Sequence, residues 1–206
     1  MGRPREFDTN EALGHAMHVF WLKGYEATSM TDLMDAMHLH KGSIYKAFGD
    51  KRNLFLLSLK AYLEQGSIAA RQMMETASSP KEAVSQFMNM SLRQCALGDQ
   101  IKGCFMMNTV VELGPHDDQI REVIASFVSS MRDRLTELIE RGQDSDEFRK
   151  DRTAGSLADY LIAVKAGLLT ASKMNLPGQD PYQVAEFALA ALEYRPFPSD
   201  RGSTPE

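Results

Sequence analysis

The sequence predicts an all-α fold of about nine helices. Three observations carry that prediction. Apolar residues recur with a 3.6-residue period, period-2 strand patterns are hard to find, and capping residues and glycines bracket the periodic runs. The 206 residues, 43% hydrophobic and 25% charged, have ordinary globular composition and length for one large domain or two small ones with a real core. No internal repeat is visible.

The elements follow in order. Asp8, with Glu11 three residues on, opens a first helix whose stripe is Leu13, Ala16, Met17 and Phe20, and Gly24 closes it. Ser29 and Asp32 form a second capping box before Met30, Leu33, Met34 and Met37. A third short helix starts after His40, with Leu39 and Ile44 at the spacing of a hydrophobic staple, Phe48 one turn further and Gly49 as its stop. Asp50 caps a longer fourth helix carrying Leu54, Phe55, Leu59 and Tyr62.

Further on, Ser79, Pro80 and Glu82 mark a strong helix start. "GCFMMNTVVELGP" reads as a compact, mostly buried helix ended by Gly114 and Pro115. Residues 118–141 form a long amphipathic helix with Ile120, Val123, Ile124, Phe127, Val128, Met131, Leu135 and Leu138 inside, followed by a turn at "GQDSDEF". Residues 153–175 and 181–194 give two last helices, and the proline-rich polar stretch 196–206 is expected to be a disordered tail.

Charge is unevenly placed. The chain has a net charge of −5 and a pI near 5.6, against a generic polyanion binder. Within residues 1–65 basic and acidic residues balance, so the remainder carries the whole deficit. No run approaches the roughly 18 apolar residues of a membrane helix, and "MGRPREFDTNEAL" has no apolar core for a signal peptide. Cys95 and Cys104 make neither a zinc pattern nor a disulfide framework. A reduced, cytoplasmic protein without a membrane partner or cofactor is expected.

In "MHLHKGSIYKAFGDKRNLF" the second and third helices are joined only by His38–His40, as in a helix-turn-helix. That motif presents the N-terminal end of its second helix to the DNA major groove. Ile44 and Phe48 anchor the helix, so Lys41, Ser43, Tyr45 and Lys46 point outward, and Gly42 lets the helix start come close to phosphate or a base edge.

Here "GRPREFD", "ALGHAMHVFWLKGYEATSMTDLMDAM" and "KGSIYKAFGDKRNLF" resemble, over roughly residues 2–63, the N-terminal domain of the tetracycline-repressor (TetR) family of bacterial transcriptional regulators. "GCFMMNTVVELGPHD" and "DEFR" are similar to one branch of the family's effector domain. The resemblance implies a homodimer with N-terminal helix-turn-helix domains on operator DNA and a larger C-terminal domain for a small-molecule effector and dimerisation. The corresponding boundaries are 1–50 for the DNA-binding domain, 51–66 for a connecting helix and 67–195 for the body. Carried over by position, Thr28, Ser29 and Thr31 approach phosphates, and Lys41, Gly42, Ser43, Tyr45 and Lys46 meet the DNA. Lys51 reaches the backbone, and Arg3 and Arg5 suit an arm in the adjacent minor groove. Two departures are His38, where the family usually has glycine, and His40, where it usually has a Ser or Thr cap; His40 either caps weakly or contacts DNA.

Thirteen methionines suggest an adaptable interior. Phe87, Met90, Phe105, Met106, Met131 and Tyr160 are placed to line the implied pocket, suited to an apolar or planar ligand, with Asn108 and His116 as orienting polar groups. Cys104, near Lys102, is either an inert buried thiol or a sensor of oxidants and electrophiles. Glu11, His15 and His18 share a helix face but read as solvated rather than as metal ligands. Leu161, Val164, Gly167 and Leu168, with Val184, Phe187, Ala188 and Ala191, form apolar arcs wider than one small core needs, which a four-helix dimer interface would explain.

The expectation is therefore a ligand-responsive DNA-binding regulator, most naturally a repressor. An all-helical enzyme is the competing class, but no paired carboxylates, activated serine, metal-ligand set or phosphate-loop motif supports one. A protein-interaction adaptor is a third class, and would have no use for Lys41 and Tyr45 as DNA contacts.

Overall fold

The computed structural model describes residues 7–96, 103–174 and 180–193. These contain nine α-helices and no strand: α1 (Thr9–Lys23), α2 (Met30–Met37), α3 (Lys41–Phe48), α4 (Lys51–Thr76), α5 (Pro80–Ala96), α6 (Phe105–Leu113), α7 (Asp118–Asp144), α8 (Ala154–Ala171) and α9 (Pro181–Ala190). A 3-10 turn, Ser172–Met174, extends α8.

Side-chain caps set most of the starts. Asp8 accepts from the amides of Asn10 and Glu11, Asp50 from Asn53, Asp117 from Ile120, Thr153 from Ser156 and Asp180 from Tyr182. In α2 the box is reciprocal: Ser29 Oγ accepts from the Asp32 amide at 3.1 Å, and the Asp32 carboxylate accepts from the Ser29 amide at 2.8 Å. Each such cap satisfies backbone donors that the first turn leaves without helical partners.

Two cores result. The head core gathers Phe20 of α1, Leu33 of α2, Ile44 and Phe48 of α3, and Leu54, Phe55 and Leu59 of α4. Leu39 packs on the same cluster as Ile44, the two ends of the expected staple. Phe105 of α6 and Ile120 and Ile124 of α7 belong to this core as well, so the head is closed by the body's own helices. The second core joins α5, α7, α8 and α9 through residues such as Phe87, Leu135, Leu138, Leu161 and Ala185. Tyr62 and Met106 pack against both.

Three expectations are corrected. The α6 segment is not mostly buried: Phe105 and Thr109 are, but Val111 is 70% exposed. The last helix ends at Ala190 rather than near 194. The stretch Ala154–Met174 does have the length and composition of a membrane span, with mean hydropathy 1.2. Packing accounts for its apolarity, because Leu157, Ala158, Leu161, Leu168 and Leu169 enter the body core.

Gly142, near the end of α7, makes the α7–α8 turn possible. A Cβ there would lie 2.2 Å from the Phe148 ring, which folds back onto the helix as the Phe148 amide donates to the Gly142 carbonyl. Helix propensity alone favours alanine by about 1 kcal/mol. The clash reverses the sign: Gly142→Ala should destabilise the protein by about 1–3 kcal/mol. Thermal unfolding checks this, and an unchanged or raised Tm would refute the packing described.

Candidate DNA interface and the cavity behind it

The turn between α2 and α3 is built by His38, whose backbone is left-handed (φ 53°, ψ 38°) and whose amide donates to the Met34 carbonyl. A side chain in that conformation is strained, by roughly 1 kcal/mol. His40 occupies the cap position of α3 without any side-chain cap bond, and no acidic residue lies in the first turn. The amide end of α3 thus keeps its positive character. With Ile44 and Phe48 buried, Lys41, Gly42, Tyr45 and Lys46 are exposed and Ser43 is half-buried. The Lys41 ammonium lies 5.7 Å from the Tyr45 ring centroid, so cation and ring form one surface.

Gly42 has no packing reason to be glycine. A Cβ there would meet nothing within 4 Å, although glycine inside a helix is less stable than alanine by about 1 kcal/mol.

Around this helix the other expected contacts divide. Ser29 and Thr31 are exposed at the start of α2. Asp32 is ion-paired to Lys23 at 2.5 Å, and this hydrogen bond, with those from Ser29, holds its carboxyl well below the usual carboxylate range. Thr28 is a correction: it is buried, and its hydroxyl donates to the Gly24 carbonyl at 2.5 Å, so it shapes the α1–α2 turn instead of facing outward. Lys51 is half-buried, its ammonium 4.4 Å from the Tyr25 ring centroid. Arg3 and Arg5 lie outside the described residues.

The head is clasped to the body at three places that spacing rules did not reveal. The Glu112 carboxylate, from α6, accepts from the amides of Tyr25 at 3.0 Å and Glu26 at 2.8 Å. Gly24 (φ 83°) leaves room for it, since a Cβ would come within 2.8 Å of Glu112 Oε2. The Arg52 guanidinium holds both carboxylate oxygens of Asp117 and also donates to Gln119. The hydrogen bond from Arg52 lowers the Asp117 pKa, so the clasp is complete above the ordinary carboxylate range and weakens as pH falls below it. Third, Trp21 Nε1 donates to the Gly103 carbonyl at 2.9 Å, beside the stack of Trp21 on Phe105.

Behind this seam lies a cavity of about 510 Å³ between α4, α5, α7 and α8, also bordered by α6. It exists because the α4 stripe turns small after Leu63: Gly66, Ser67, Ala69 and Ala70 face it before Met74. Of the residues expected there, Phe87, Met90, Met106 and Met131 line it. Four expectations are corrected. Phe105 is spent in the head core, Asn108 accepts from Lys173 Nζ at 3.2 Å, His116 is exposed at the α6–α7 turn, and Tyr160 is 40% exposed on α8. None of the four lines the cavity. Lys165 does, and charge within an otherwise apolar stripe was the signal for it.

Cys104 is buried in the cavity wall, its sulfur 3.5 Å from the Tyr62 hydroxyl. Lys102, the neighbour expected to activate it, and the side chain of Cys95 lie outside what is described.

On the far side, Leu161, Leu168 and Ala188 are corrections too: they are buried in the body's own core, and Val164 is half-buried against it. The residues left facing outward are Gly167, Ala191, Val184 at 47% and Phe187 at 68% exposure, with Tyr160.

A helix-turn-helix head on a helical, cavity-bearing body defines the class. Residues 12–57 match the model of the bacterial regulatory proteins of the tetR family, and residues 80–188 match a tetracyclin repressor-like C-terminal domain. The chain belongs to the TetR family of DNA-binding transcriptional regulators. It is similar to the HTH-type transcriptional regulator YezE of Bacillus subtilis (strain 168), 31% identical over 176 residues that cover 85% of this chain and 91% of that one. It is also similar to the HTH-type transcriptional repressor ComR of Escherichia coli (strain K12), 27% identical over 187 residues, 89% and 88% of the two chains. Among solved structures, a cysteine-substituted form of the TetR-family regulator CifR in complex with a 26-base-pair operator duplex matches with a TM-score of 0.81. That match has 29% identity and covers 93% of this chain and all of the other.

Two substitutions separate folding from recognition. His38→Gly and Gly42→Ala should each raise stability, by about 0.5–1 kcal/mol, the first by relieving left-handed strain and the second by helix propensity. Denaturant unfolding measures both, and a loss of stability in either variant would contradict the local geometry.

Proposed function

We propose that this protein is a homodimeric repressor that reads a palindromic operator with α3 and leaves it when a small molecule fills the cavity. The observation that carries the reading is the face of α3: Ile44 and Phe48 hold it down while Lys41, Gly42, Tyr45 and Lys46 are presented to solvent at an uncapped helix start. Lysines and hydroxyls fix the register on phosphates, and the bare Gly42 brings the helix axis close to the groove floor. Ser29 and Thr31 at the start of α2 serve the adjacent phosphates, and Arg3 and Arg5 the minor groove. Relatives described as repressors, and the CifR–operator complex, support the same reading.

The dimer surface in this reading is the outward face of α8 and α9. Phe187, Val184, Tyr160 and Gly167 there are apolar or small and exposed, as a symmetric four-helix interface requires. Two heads would then meet half-sites about one helical turn, ~34 Å, apart. An effector acts by favouring a dimer whose heads are wrongly spaced, and by linkage operator DNA must weaken effector binding by the same factor.

A second reading, sensing of an electrophile or oxidant, is favoured by one observation: the Cys104 thiol faces the cavity that would admit such a molecule. Thiol oxidation would then release DNA from the wild type and leave a Cys104→Ser variant bound.

Selection from random duplexes with the purified dimer should enrich a palindrome. On that duplex, Lys41→Ala and Tyr45→Ala should each lower affinity at least about tenfold, Lys41→Ala also reducing the salt slope by about 1. Gly42→Ala should weaken binding while stabilising the fold. Wild type and Lys41→Ala recovering the same unenriched pool would refute operator recognition by α3.

A further inference from the structure

The hollow between α4 and α7 does not end with the apolar cavity. Next to it lies a polar cleft of about 560 Å³, and Met74 of α4 and Arg134 of α7 border both. The two helices pass from cavity to cleft in the same direction. The cavity takes residues between 62 and 74 of α4 and between 127 and 134 of α7, the cleft those between 71 and 75 and between 134 and 144. Arg134 marks the junction, where its guanidinium donates to the Ser67 hydroxyl of α4 at 2.8 Å.

The chemistry changes across that junction. On the cavity side the surface is thioether, aromatic and aliphatic, chiefly Met90, Met106, Met131, Phe127 and Val128, and Lys165 there donates to the Phe87 carbonyl at 2.6 Å. On the cleft side α7 presents Arg134, Glu137, Arg141 and Asp144, one charge per turn with alternating sign, and Glu140 beside them. Arg71 and Glu75 of α4 line the same cleft. Glu137 and Arg141 stand at the spacing and in the order that favour a pair along a helix. Yet among the described residues none of these seven side chains forms an ion pair.

We propose that cavity and cleft together take an amphiphile: an apolar chain in the cavity and a neutral, hydroxyl-rich head, a sugar or polyol, in the cleft. The proposal rests on the reading of the cavity as the effector site. An apolar chain gains by leaving water for the methionine surface, which adapts to its shape. A chain that fills the cavity leads its head past Arg134, whose guanidinium has donors beyond the one given to Ser67. Each hydroxyl of the head both donates and accepts, so it can serve a carboxylate or a guanidinium, whichever it meets. An ionic head always meets its own sign among three guanidiniums and four carboxylates, and it loses more hydration on entry.

Calorimetric titration of the full chain with probes of one chain length tests this: octyl β-D-glucoside, octan-1-ol, octanoate, octylammonium and octylphosphocholine, each below its micelle-forming concentration. The glucoside is expected to bind at least about threefold more tightly than octan-1-ol, and at least about tenfold more tightly than the three ionic amphiphiles. Glu137→Ala and Arg141→Ala, both at exposed positions, should each weaken the glucoside at least about threefold and leave octan-1-ol unchanged. A glucoside no tighter than octan-1-ol, an ionic probe that equals it, or a glucoside affinity unchanged in either variant overturns the assignment of the head and leaves the cavity standing. If no probe binds, octan-1-ol included, the cavity reading fails, and this assignment with it. The wild-type ratios decide the matter alone should the variants fail to fold.

Discussion

Trp21, Phe55 and Tyr62 meet around Phe105, with ring centroids 5.1–6.4 Å apart for the Trp21–Tyr62, Phe55–Phe105, Tyr62–Phe105 and Trp21–Phe105 pairs. Most of these contacts are edge-to-face, the geometry in which aromatic quadrupoles attract. Phe105 opens α6 of the body, while Trp21 and Phe55 belong to helices of the head. The position of the head on the body is therefore set by α6 and α7, and the Glu112 and Arg52–Asp117 clasps fix it at two further points. The head core is shared with α6 and α7 of the body, and the cavity abuts it: Cys104 and Met106, either side of Phe105, both face the cavity, as does Tyr62. A change in cavity volume has a short physical route to the head.

The turn before α3 and its exposed face show the opposite bias. There the chain accepts a left-handed His38, a third helix without a side-chain cap and a glycine where alanine would fit. None of these improves the fold. Local rules broken together at one surface, inside a head whose other starts are well capped, mark a site shaped for something other than stability.

Much of this was legible in the sequence because it depends on neighbours in the chain. The Ser29–Asp32 box, the Asp50 cap, the Leu39–Ile44 pair and the exposed face of α3 follow from spacings of three to five residues. What depends on distant partners was not. Periodicity shows that Leu161, Leu168 and Ala188 are apolar, but not that their own fold already covers them, leaving Phe187 and Val184 outside. Thr28 carries a hydroxyl in the expected place, and only the conformation of the α1–α2 turn brings Gly24 to accept its bond. Tyr160 and Phe105 are aromatic residues near the cavity in sequence terms, but the helix faces they occupy point elsewhere. The cavity itself comes from small residues, Gly66, Ala69 and Ala70, which leave no mark on an apolar pattern.

Trp21, the single tryptophan, sits in the seam and offers the most direct test of it. Urea unfolding at fixed protein concentration, followed both by Trp21 fluorescence and by helical circular dichroism, reports the seam and the whole helical fold separately. Shared packing around Phe105 predicts coincident transitions with a single midpoint. A fluorescence transition completed at lower urea, with most of the helical signal retained, would show that the head parts from the body on its own and would contradict the account.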